Sequence, residues 1–186
     1  MQHDPTFWLL ARSAGLAAYV LLTGSVLAGL VLKSRPSVRL RAAIVTEFHK
    51  TLAVLAVAAL ALHGAALVLD STVKVTLTSL LVPGLVSYRP AAVAAGVVAG
   101  WLLAAVIASF WLRKHIGART WRRLHWATYA LFVLATVHGI TAGTDSTQPW
   151  ARDLYLGAVA AVVFGTVWRV LVRPAKRRAL TKVELS

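Results

Sequence analysis

The sequence has no cysteine, which excludes disulfides, thiolate metal sites and iron–sulfur clusters together. Histidine is then the only strong soft-metal ligand. Acidic residues are also scarce: 6 Asp and Glu stand against 20 Lys and Arg, for a formal net charge of +14. In a soluble protein that excess would suggest nucleic acid, but the positions of the charges mark membrane topology instead. Also missing are internal repeats of 20 to 50 residues, low-complexity tracts beyond Ala/Val/Leu richness, and any polar stretch long enough for a soluble domain.

The chain is 59% hydrophobic over 186 residues, and its apolar residues fall in long blocks rather than alternating with polar ones. This predicts an all-α, polytopic membrane bundle of five transmembrane helices, at about 7–32, 42–69, 91–112, 124–142 and 154–172, followed by a basic tail over 173–186. The first block is too long for a signal segment and lacks a basic lead, so it reads as a retained helix. Basic residues cluster in alternate connections: Lys33, Arg35, Arg39 and Arg41; then Arg113, Lys114, Arg119, Arg122 and Arg123; then Arg173, Lys176, Arg177, Arg178 and Lys182. The positive-inside rule makes these cytoplasmic, which sets the N-terminus outside and the C-terminus inside a plasma or inner membrane.

The second block carries His49 and His63, 14 residues apart. That spacing is roughly 21 Å of rise and nearly four whole turns, so both imidazoles leave one face near opposite ends. The fourth block repeats the arrangement with His125 and His138, 13 residues apart. Separated by one intervening span, the two helices run in the same direction. His49 therefore shares a level with His125, and His63 with His138. Ionisable residues inside a span are costly and usually functional.

Two imidazoles facing each other in an apolar slot suit the axial positions of a haem iron, whose other four ligands belong to the porphyrin. Zinc or copper would need a third or fourth protein ligand, and none is visible at either level. Structural histidines bonding across helices would explain one pair more easily than two at matched depths. A membrane transporter or scaffold, relaying protons or metal through the histidines, is the rival class.

Other residues read more plainly. Arg12, one turn after Trp8, either snorkels to the outer headgroups or faces an anionic group of a bound cofactor. Gly15, Gly24 and Gly29, and the Gly96-x-x-x-Gly100 pair, signal close helix packing. Glu47 and Lys50 are placed to pair with each other. The apolar part of the 70–90 connection, broken at Pro83-Gly84, predicts a flap over the His63 level. His115 reads as a surface residue, and the tryptophans as an interfacial belt. The 13-residue spacing leaves His125 and His138 about 140° apart on an ideal helix, which a bulge or offset sites must absorb.

The paired histidines, in this order and spacing over nearly the whole chain, resemble the ferric reductase-like transmembrane domain family. That family includes ferric reductases, NADPH oxidases and the YedZ/MsrQ haem subunits of methionine sulfoxide reductase systems. The resemblance implies that His49, His63, His125 and His138 are bis-histidyl ligands of two b-type haems in a transmembrane electron-transfer oxidoreductase. Oxidases and eukaryotic reductases add FAD- and NADPH-binding domains that this sequence does not show. The expected donor is therefore a separate flavin reductase or membrane quinol, bringing a flavin or quinone to the cytoplasmic side. The expected acceptor outside is ferric iron, oxygen or a partner redox protein, with the lipid bilayer as the other partner and no nucleic acid. Haem propionates need counter-charges. By depth, Arg12 and Arg89 are expected at the outer haem, and Lys50, Arg122 or Arg123 at the inner one.

The charge pattern generates a direct test of polarity. A phosphatase reporter fused near Met1 should be active outside the cell, and a fluorescent reporter fused after Ser186 should fold in the cytoplasm. The reverse result would invert the expected electron direction.

Overall fold

Long runs of Leu, Ala and Val without interior proline favour helix, and in an apolar surrounding helix formation also satisfies every backbone donor and acceptor within the segment. The computed structural model describes residues 5–34 and 39–171, and over these the protein is all-helical, with six helices and no strand. They are α1 (Thr6–Ser34), α2 (Arg39–Leu69), α3 (Leu77–Leu81), α4 (Pro90–His125), α5 (Ala127–Ala142) and α6 (Pro149–Leu171). The connecting residues Arg35 and Pro36 and the basic tail from 172 onward lie outside the described residues.

Four helices are long and apolar enough to cross a membrane: Thr6–Leu32, Ala42–Leu69, Pro90–His125 and Pro149–Leu171. The fourth expected block contributes a shorter apolar helix, α5, of 16 residues, about 24 Å at the usual rise. Its boundaries differ from the expectation for a physical reason. The stretch 113–123, read as a loop, is helical instead, since Arg, Lys, Leu and Ala are good helix formers and no proline interrupts them. Gly117 alone leaves helical geometry, at φ 76° and ψ 155°, a conformation that costs glycine little and other residues much. The chain turns there between two helical arms, 90–116 and 118–125.

A second irregularity separates α4 from α5. The Trp126 N–H donates to the Arg123 carbonyl and the Tyr129 N–H to the Trp126 carbonyl, both at 3.1 Å. These three-residue closures wind the chain more tightly than an α-helix. They fall between His125 and His138, where the 13-residue spacing demanded an adjustment, and the extra winding turns the two imidazoles toward alignment.

The helices assemble as two antiparallel hairpins, α1 against α2 and α4 against α5, with α6 closing on α1. Among the described residues α2 makes no comparable packing on α4 or α5, so the two histidine-bearing helices face each other across a gap. The hairpins meet through α1. Tyr19 stacks on Phe132 at 5.9 Å between ring centroids and lies 4.9 Å from Tyr155, joining α1, α5 and α6 in one buried cluster. The Thr136 hydroxyl donates to the Phe132 carbonyl at 2.8 Å. Tyr19 Oη therefore donates to Thr136 Oγ1, at 3.0 Å. The outward side of α2 is apolar, with Phe48 and Val54 58% and 67% exposed.

Because the Tyr19–Thr136 bond is the buried polar tie between the hairpins, Tyr19→Phe should keep the ring packing and destabilise the bundle by about 1 kcal/mol, the usual net worth of such a bond. Thermal unfolding in detergent measures it, and an unchanged midpoint would show that the rings alone hold the hairpins together.

Candidate functional site

The structure brings the four sequence-predicted histidines together in two pairs, matched as the depth argument requires. His49 faces His125 with ring centroids 6.1 Å apart and planes at 69°. His63 faces His138 at 6.4 Å and 76°. All four side chains are half-buried. Each pair takes one ring from each hairpin, across the gap in which α2 and α5 do not pack.

Three of the rings are held the same way. His63 Nδ1 donates to the Ala11 carbonyl at 2.7 Å, His49 Nδ1 to the Ser25 carbonyl at 2.7 Å, and His138 Nδ1 to the Ala92 carbonyl at 2.8 Å. Ser25 Oγ also lies 3.1 Å from His49 Nδ1. A carbonyl can only accept, so each Nδ1 carries a proton, and in the neutral ring Nε2 then keeps its lone pair, the tautomer of an imidazole ready to bind a metal.

A helical carbonyl already serves its own helix, so reaching it from outside requires space beside it. Four residues after each of these carbonyls stands a glycine: Gly15, Gly29 and Gly96. A Cβ on Gly96 would stand 2.6 Å from the His138 ring, one on Gly15 3.0 Å from His63, and one on Gly29 3.5 Å from His49. The glycines read in the sequence as packing residues are thus the seats of the imidazoles. In the second hairpin the same register carries buried Ser109 to the level of His125. His125 also packs on Trp121, with centroids 5.5 Å apart and planes at 32°.

A cavity of about 1040 Å³ surrounds the His63–His138 pair, at the upper end of the range for small-molecule and cofactor sites. Its lining is mostly apolar, and it includes Arg12, Asp145, Tyr88, Trp101 and Leu80. Leu80 belongs to α3, the short helix of the 70–90 connection, which is capped by a reciprocal Thr76–Ser79 bond pair. That connection therefore lies over the cavity beside His63.

The expected cationic residues are placed as follows. Arg12 forms an ion pair with Asp145 and lies over the Trp8 ring at 4.0 Å, so it lines the cavity with its charge already met. The sequence reading missed Asp145 as its partner. Arg89, with left-handed backbone at φ 41°, is exposed and donates to the Thr141 carbonyl at 2.6 Å, tying the start of α4 to the end of α5. Lys50 pairs with Glu47 at 2.7 Å on an exposed surface. Arg122 and Arg123 are exposed on the last turn of α4, beside His125, and His115 is exposed as well.

The donor set can be tested against a metal-bearing group. Among the described residues no cluster of three or more His, Cys, Asp or Glu could hold an ion, so each level offers two imidazoles and no third protein ligand. Two imidazoles bound coaxially to one iron through Nε2, at about 2.0 Å each as for other metal–imidazole bonds, bring their ring centroids to about 6.3 Å. The observed 6.1 and 6.4 Å bracket that figure.

With this geometry in view, comparison with known proteins places the chain in one family. It belongs to DUF8596, described as a domain of unknown function, which it matches over residues 6–145. The match includes both hairpins and ends before α6. No curated protein and no solved structure matches the chain.

The glycine seats make a graded prediction. Gly96→Ala drives a methyl group into the His138 ring and should cost about 1–3 kcal/mol of stability, as overpacking does. Gly29→Ala meets His49 at ordinary contact distance and should cost far less. Equal melting temperatures for the two variants would show that the rings are not seated on these glycines.

Proposed function

We propose that the protein is a transmembrane di-haem cytochrome b, similar to the ferric reductase-like membrane domains, passing electrons from a cytoplasmic-side donor to an extracytoplasmic acceptor. The observation that carries this reading is the paired histidines. There are two levels, each with two imidazoles 6.1 or 6.4 Å apart between ring centroids and, among the described residues, no third protein ligand. The reading takes five spans, α5 crossing together with the helical arm before it, with the N-terminus outside and the C-terminus in the cytoplasm. His49 and His125 then hold the inner haem, and His63 and His138 the outer one, about 20 Å apart by helix rise. When bound, haem supplies one-electron exchange between ferric and ferrous iron.

The chain's own residues fix position and surroundings. The Ala11, Ser25 and Ala92 carbonyls hold three rings in the metal-binding tautomer and orientation, as partners beyond the ligands usually do. The glycines set how closely each ring approaches its neighbouring helix. Between the two levels lie Ala56 on α2 and Phe132 on α5 together with Tyr19, Thr23 and Thr136, all buried. At the outer level, Arg12 is the cation on the cavity wall nearest in role to a counter-charge for a carboxylate, with Asp145 as its competitor. The donor fits a separate flavin reductase or a membrane quinol, and the acceptor ferric iron, oxygen or a redox protein.

The purified protein should be red, with two haems b per chain and a low-spin spectrum after dithionite. His63→Ala and His138→Ala should each lose one haem, and the double variant no more than either alone. One haem per chain in the unaltered protein, or His63→Ala and His125→Ala removing the same haem, would refute the two-level assignment. A colourless protein would favour the transporter reading.

A further inference from the structure

Part of the wall around His63 and His138 comes from α1, α5 and α6, and Tyr155 of α6 belongs to it. Tyr155 is 6% exposed, and its ring lies 4.9 Å from that of Tyr19. Its hydroxyl reaches Gly139, the residue after His138, where an added Cβ would collide with it. Buried tyrosines ordinarily find a partner for the O–H. Other donors lining this cavity have done so. Tyr19 Oη donates to Thr136 Oγ1, Tyr88 Oη to the Ala142 carbonyl at 3.2 Å and Trp101 Nε1 to the Leu81 carbonyl at 2.9 Å, while Arg12 is paired with Asp145. Among the described residues no hydrogen bond reaches the Tyr155 hydroxyl, and the one sealed side-chain polar atom without a partner is Trp121 Nε1, outside this cavity. The Tyr155 hydroxyl is therefore unbonded but not sealed, and the space on which it opens is the cavity.

Resting on the reading of His63 and His138 as the outer haem site, we infer that Tyr155 Oη donates a hydrogen bond to a carboxylate of the outer haem and so sets which edge of the haem faces α6. Both axial positions are taken by the imidazoles, so the hydroxyl addresses the edge of the macrocycle and not the iron. A b-type haem carries its carboxylates on one edge. A donor fixed to one wall therefore selects the rotation of the haem about the axis through its two ligands. An O–H to carboxylate bond is charge-assisted, and in an apolar lining it is stronger than in water. The Arg12–Asp145 pair joins α1 to the α5–α6 connection and lines the same cavity. Leu77, Leu80, Val93 and Val97, from α3 and the start of α4, line it elsewhere, a surface suited to the apolar edge of the haem. Tyr155 is thus a positioning residue, held in place by Tyr19 and by the absence of a side chain at Gly139.

The test uses the full chain in a His49→Ala background, which should retain only the outer haem, with and without Tyr155→Phe. Phenylalanine keeps the ring beside Tyr19 and removes only the hydroxyl. Resonance Raman of the background protein should show a haem carboxylate bending band at the hydrogen-bonded position. In Tyr155→Phe one component of that band should move to the unbonded position, and the midpoint potential should fall as the carboxylate regains its full negative field and favours ferric iron. Should Tyr155→Phe fail to assemble, Gly139→Ala, which displaces the hydroxyl without deleting it, should move the same component. A purely structural role would lower the melting temperature and leave band and midpoint unchanged, and that result with the outer haem bound would overturn the inference alone. So would a background band at the unbonded position, which decides the matter without either variant. Loss of both haems from the background, or absence of haem from the unaltered protein, would overturn the parent reading, and this inference with it.

Discussion

The fold depends on a bond that secondary structure does not predict: a histidine Nδ1–H donating to a carbonyl inside a neighbouring helix. Such a carbonyl already accepts from its own helix, so the second donor must come from the side, and a side chain at the next turn would block it. A residue without Cβ four positions on opens that approach, and three such pairs occur, at Ala11 with Gly15, Ser25 with Gly29, and Ala92 with Gly96, the last the tightest and Gly29 the loosest. Helix spacing within each hairpin, ring orientation, and the lone pair left on Nε2 all follow from this contact.

Seen through it, the two hairpins are variations on one plan. In the first, glycines 14 residues apart on α1 oppose histidines 14 residues apart on α2. In the second, Gly96 and Ser109, 13 residues apart on α4, oppose histidines 13 residues apart. The registers also differ in how they turn. Extending the Gly96–His138 pairing along the second hairpin puts its midpoint at residue 117, the one position in α4 with non-helical backbone. The position opposite His125 in this register is serine rather than glycine, and that ring also leans on Trp121.

Much of this was legible in the sequence. Block hydrophobicity gave helices, and the direction of travel through the chain paired His49 with His125 and His63 with His138. The mirrored spacings of glycine and histidine were also present, but their meaning was hidden. A glycine at a helix interface has many uses, and only the antiparallel register shows which one faces a ring. The Arg12–Asp145 pair was illegible for a similar reason, since it joins residues from opposite ends of the family's matched region through a loop. The stretch 113–123 misled because charge density was read as loop, although Arg and Lys are good helix formers and the turn requires only Gly117.

The gap between α2 and α5 also bears on how the protein is made. Each hairpin presents one imidazole per level, so each is half of a site, and anything that needs both imidazoles must wait for the second half. During synthesis the first hairpin is complete by Leu69, whereas His138 lies twice as far along the chain. Until then α1 and α2 stand as a helical pair whose two imidazoles lack their counterparts across the gap. On the di-haem reading, insertion of the helices and loading of the site would be separate events in time, with His138 the last residue needed for the second.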